Sequence, residues 1–99
     1  MKVEQFYNKN QFRIYGEGKN IFQSYDSTIA IIEKGMLILG RNWDYSKTTL
    51  KHLYMFLNEY DFEIDNYNHI YKALHSNNKR KAIQNLIDNN IIVYDESLI

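Results

Sequence analysis

The alternation of apolar and polar side chains changes period along this chain, and each change predicts a different kind of element. Residues 2–10 show no clear period: Val3, Phe6 and Tyr7 fit one turn of helix or the lead-in to a strand. From Gln11 the period is two. Phe12 and Ile14 alternate with Arg13 and Tyr15, as in a half-buried strand, and Gly16-Glu17-Gly18-Lys19 supplies permissive backbone for a turn. A second strand over residues 20–25 breaks at Asp26-Ser27. Residues 28–33 and 36–39 predict two more, joined by Lys34-Gly35, a short hairpin loop with glycine available for positive φ. Those last two segments, TIAIIE and MLIL, are apolar on both faces. They predict central strands covered on one side by helices and on the other by a partner subunit, as in a homodimer through the sheet, or by the N-terminal segment folding back.

After Ser46 the period becomes helical. Leu50, Leu53, Tyr54, Leu57 and Tyr60 fall on one side of a wheel, with Thr49 and Phe56 at its edge and Lys47, Lys51, Asn58 and Glu59 opposite. An acidic connection over 61–65 leads to a shorter helix over 67–75 carrying Ile70, Tyr71 and Leu74. Ser76-Asn77-Asn78 then offers capping side chains to a third helix over 79–89, with Asn90 suited to its C-terminal cap. Residues 91–94 read as a closing strand. The predicted fold is α+β: a four-stranded antiparallel sheet, two to three helices and a short C-terminal strand, in one domain spanning residues 1–99.

Composition narrows the function classes. Twelve basic and twelve acidic residues cancel, so no global field draws the chain to nucleic acid or to an anionic membrane. Cysteine is absent, which removes disulfides, thiol nucleophiles and thiolate zinc sites, and suits a reducing cytoplasm. No apolar run approaches the ~20 residues of a membrane span, and MKVEQFYNKN lacks the apolar stretch of a signal peptide. Asn, Lys, Ile and Tyr make up over two-fifths of the chain, while Pro is missing and Ala occurs only at 30, 73 and 82. That skew matches AT-rich coding and weakens arguments built on plentiful Asn or Lys.

No constellation predicts catalysis. Asp44, Tyr45 and Ser46 are adjacent, but His52 lies six residues beyond Ser46, at a helical angle that turns it away. The same letters make a helix start, with Asp44 or Ser46 as cap and Trp43 and Tyr45 closing the end of the sheet. His52, His69 and His75 lack the i, i+4 spacing of a helical metal pair, and no cofactor is expected. Two charged segments are candidate partner contacts. One is the acidic, aromatic connection, with Tyr60, Asp61, Phe62, Glu63 and Asp65. The other is Lys79, Arg80 and Lys81, cations placed where the helix macrodipole disfavours them. The order helix, turn, basic helix, strand also fits a winged-helix-like DNA-binding regulator gripping phosphates through residues 79–81.

The string FQSYDSTIAIIEKGMLILGRNWDYSKTTLKHLYMFL, residues 22–57, resembles a family of small uncharacterised proteins from phages and prophages of low-GC Gram-positive bacteria. An FQSY-x-S strand there leads through a hairpin to WDYS-x-TT and an aromatic helix ending in FL. The matching positions are Phe22, Gln23, Ser24, Tyr25, Ser27, Trp43, Asp44, Tyr45, Ser46, Thr48, Thr49, Phe56 and Leu57. The resemblance implies a cofactor-free accessory protein, not an enzyme, in the cytoplasm of an infected bacterial host. There it would act stoichiometrically on a host defence protein or nucleoprotein complex, as anti-CRISPR proteins do.

Overall fold

A computed structural model describes residues 1–99. Six strands form one sheet in sequence order: β1 (Lys2–Gln5), β2 (Gln11–Gly16), β3 (Lys19–Ser24), β4 (Ser27–Glu33), β5 (Met36–Gly40) and β6 (Val93–Asp95). Between β5 and β6 run α1 (Lys47–Glu59), a 3-10 turn at Asp61–Glu63, α2 (Tyr67–Leu74) and α3 (Lys79–Asp88). The α+β class holds, but the sheet is larger than four strands and is mixed. Residues 2–5 add a strand antiparallel to β2 instead of folding back over the sheet. β6 pairs parallel to β5, because the chain returns through a crossover of helices and not through a tight turn.

The hairpin loops follow their sequence signals. Lys34 (φ 52°) and Gly35 (φ 78°) both take positive φ, as the primed turns that match strand twist require. In β4 the register shifts between Phe22 and Gln23 of its neighbour, and Ile29 and Ala30 are both buried. This bulge explains why TIAIIE does not alternate: two successive side chains turn inward before Ile31 turns out.

Helix α1 opens on Ser46, whose Oγ accepts from the Thr49 amide at 3.1 Å. Its buried residues are Thr49, His52, Leu53, Phe56 and Leu57, so the inward stripe is rotated from the predicted one, and Phe56 lies at its centre instead of its edge. Phe56 stacks on Phe22 of the sheet (centroids 5.6 Å apart), and Phe6 packs against both at 5.7 and 5.8 Å. Helix α3 ends in a Schellman motif. Asn90 takes φ 60°, its amide donates to Ile87 O, and the Ile91 amide donates to Leu86 O.

All helices lie on one face of the sheet. Phe22, Ala30, Ile32, Leu37 and Leu39 point toward them and are buried. The opposite face carries a cross-strand row, Val3, Ile14, Ile21, Ile31, Ile38 and Val93, and none of these residues is buried.

Phe56→Ala is expected to lose about 3–5 kcal/mol in denaturant unfolding, whereas Phe62→Ala, at an exposed position, should stay within about 0.5 kcal/mol. Ser46→Ala should cost ~1 kcal/mol through the lost cap.

Candidate functional site

At the end of the sheet where α1 begins, a cavity of about 580 Å³ is lined by Ser24, Tyr25, Asp26, Ser27, Ile29, Asn42, Tyr45, Ser46, Thr48 and Thr49. Two elements build it. The β3–β4 hairpin supplies one wall, and the loop from β5 into the first turn of α1 supplies the other. Asn42 Nδ2 donates to Ser27 Oγ across them at 3.2 Å, and Ser46 Oγ lies 3.1 Å from Thr49 Oγ1.

Three details mark this cavity. Tyr25 and Tyr45, at its wall, are 61% and 80% exposed. Tyr25 is the first residue of a two-residue hairpin loop and holds φ 53°, a left-handed backbone that costs a bulky L-residue roughly 1–2 kcal/mol. Ser24 Oγ is buried without a hydrogen-bond partner, as is Oε1 of Gln11, the residue directly opposite Ser24 on β2. Tyr45 therefore stands in solvent instead of closing the end of the sheet; Trp43 alone is buried there.

The wall is rich in hydroxyl and aromatic groups. Hydroxyls and one side-chain amide both donate and accept hydrogen bonds, and two tyrosine rings offer stacking surface. No histidine lines the cavity. His52, one turn further along α1, donates from Nδ1 to Thr48 O at 2.9 Å. No group of three or more His, Asp or Glu side chains converges in a metal-ligand arrangement.

The acidic connection is more tightly held than its sequence indicated. Tyr60 is only 8% exposed and belongs to the core: its ring packs on Phe56 at 5.1 Å, and the Arg13 guanidinium lies over it at 4.4 Å. Arg13 also stacks on Tyr15, donates from Nε to Asn20 Oδ1 at 2.8 Å and pairs with Glu4 at 3.1 Å. Asn20, buried on the helix-facing side, passes the chain of bonds on by donating to Glu63 at 3.2 Å. Asp65 anchors the next segment, its amide donating to Gly35 O at 2.9 Å. Of this stretch Phe62, 77% exposed, and the Asp65 side chain are on the surface, and Asp61 and Glu63 are partly exposed.

The basic helix start is also partly committed. Arg80 donates from Nε to Asp44 Oδ2 at 2.9 Å, with Nη2 at 2.6 Å from the same oxygen. That contact, between residues 36 positions apart, explains Asp44: it is an ion-pair partner, and Ser46 is the cap. The cation at Arg80 is thus locally neutralised, while Lys79 and Lys81 are exposed and Asn78 caps the helix. The strand after α3 joins the main sheet beside β5, not a separate hairpin wing.

A model of a family of unknown function, DUF8033, matches residues 1–73. The chain belongs to this family. The match takes in all ten cavity residues and strands β1 to β5, while α3 and its cations lie beyond it. No curated protein and no solved structure matches the chain. None of the helices of this DUF8033 protein is long and apolar enough to cross a membrane.

Burial pushes the Tyr60 phenol up to about 12, with Glu59, Glu4 and Glu63 adding to the rise and Arg13 opposing it. An unfolded tyrosine ionises near 10.0, so between these values the unfolded chain has released a proton that the native state retains. The stability tied to Tyr60 is complete below pH ~10 and is lost as pH rises toward ~12. Melting temperature is expected to fall across that window, and Tyr60→Phe should flatten the fall.

Proposed function

We propose that this DUF8033 protein is a non-catalytic binding protein: a phage-encoded, anti-CRISPR-like counter-defence protein. It acts in the cytoplasm of the infected host by occupying a surface of a host protein or nucleoprotein complex. The observation that carries the reading is Tyr25. The two-residue turn needs a left-handed residue at this position, which Asn or Gly supplies at lower cost; a large exposed aromatic there, beside a cavity with an unpartnered buried hydroxyl, adds cost without packing return. Such strain fits a contact residue, and tyrosines beside a concave, hydroxyl-rich wall fit the anchors found at interface hot spots. Asp26 is the only charged residue on that wall, so a basic side chain of the partner suits it, of the kind that nucleoprotein complexes present to phosphates. The phage setting rests on the FQSY-x-S and WDYS-x-TT resemblance, whose Ser24, Tyr25, Ser27, Tyr45, Ser46, Thr48 and Thr49 all line the cavity.

The test is a phage protection assay in a host with an active defence system, comparing the wild type with Tyr25→Asn, Tyr45→Ala and the double variant. Asn tolerates the left-handed region, so Tyr25→Asn is expected to hold stability or raise it by up to ~1 kcal/mol. Loss of protection by the double variant, with an unchanged melting temperature, is the expected result. A wild type that protects against no defence system, or a double variant that protects fully, contradicts the reading.

A further inference from the structure

The uncovered face of the sheet has an internal symmetry. Reading across the strands from β1 to β6, its central row is Val3, Ile14, Ile21, Ile31, Ile38, Val93. The order is a palindrome about the line between β3 and β4. The next row on the same face places Lys19 on β3 directly opposite Glu33 on β4, one on each side of that line. Their ammonium and carboxylate are 3.9 Å apart, with side chains 41% and 35% exposed. An exposed pair at that distance contributes little within one copy and leaves both groups free to engage a neighbour.

We propose that a second copy of this chain covers the face, related by a twofold axis that lies in the interface, parallel to the strands and between β3 and β4. This operation sets Ile21 over Ile31 of the second copy, Ile14 over Ile38 and Val3 over Val93. It sets Lys19 over Glu33, twice, as an isologous interface demands. Each of these contacts is apolar on apolar or cation on anion; the row nearer the β3–β4 hairpin sets Gln23 over Thr28, amide on hydroxyl, and no like charges meet. Two sheets stacked in this way form an aligned sandwich about 10 Å thick.

The area is sufficient. Six strands about 4.8 Å apart and on average about 17 Å long present a flat footprint of roughly 400–500 Å² per copy. Side chains standing out from that plane bring the total for two copies to on the order of 1,200 Å², where specific interfaces begin. A foreign partner would need neither the palindrome nor the balanced charge pair; a second copy uses both. Pairing through this face leaves the cavity, at the end of the sheet, open.

The test is the solution mass by light scattering across a dilution series, with Lys19→Glu, Glu33→Lys, their equimolar mixture and Ile31→Lys. The wild type should weigh twice the 11.9 kDa of one chain. Each charge reversal sets like charges opposite each other and should weaken the dimer about tenfold or more. The mixture should restore it as a heterodimer, since each copy then meets its complement. The ion pair within each copy is broken in both variants and is not repaired by mixing, so rescue reads the contact between copies alone. Ile31→Lys, with its helix content and melting checked, should be monomeric. A monomeric wild type, an unrescued mixture of folded variants, or a dimer indifferent to Ile31→Lys overturns the proposal.

Discussion

The contact on which the rest of the structure depends is the stack of Phe56 on Phe22, closed on a third side by Phe6. It seats α1 across the strands and fixes which face of the sheet becomes the core. From the β5 side, where Ser46 caps the helix, α1 passes to the opposite edge, where Tyr60 meets Arg13 and Tyr7 donates to Glu59. A sheet built as a meander with one crossover has helices for only one face, since they all belong to that single connection. The uncovered face is a consequence of connectivity, and its aliphatic composition is what makes that consequence informative.

The same helix placement creates the cavity. The first turn of α1 and the β3–β4 hairpin enclose a space lined by hydroxyls, and the strain at Tyr25 lies at its wall. Core and exposed aromatic residues are separated in this arrangement. Trp43, Phe56 and Leu57 are buried, while Tyr25 and Tyr45 from the same motif pair are exposed. The polar chain from Glu4 through Arg13 and Asn20 to Glu63 likewise converts an acidic, aromatic segment into a strut that holds the 3-10 turn against the sheet.

Local features were legible in the sequence because their causes are local. The Lys34-Gly35 turn, the Ser46 cap and the Asn90 terminus each need only a few neighbouring residues. The pairing of residues 2–5 with β2 and the parallel pairing of the predicted closing strand with β5 were not legible, since each depends on strands reached through other elements. The acidic stretch misled for a related reason: Tyr60 and Glu63 are committed to Arg13 and Asn20, more than 40 positions earlier. Arg80 looked like an unopposed cation until Asp44 met it across α1 and α2. The cavity left one usable signal, the pairing of FQSY-x-S with WDYS-x-TT, whose two halves become its two walls. Its exposed tyrosines could not be told from core tyrosines by spacing alone.

The central claim is that one face of the sheet is core and the other is presented to the outside. A chain without cysteine permits a direct measurement: thiol labelling of two single-cysteine variants, Ile31→Cys and Ile32→Cys, neighbours on opposite faces of β4. The account expects the thiol at position 31 to react readily in dilute protein and more slowly as concentration rises. The thiol at position 32 should stay protected under native conditions throughout. Equal protection of both positions at every dilution, or faster labelling at 32 than at 31, would contradict it.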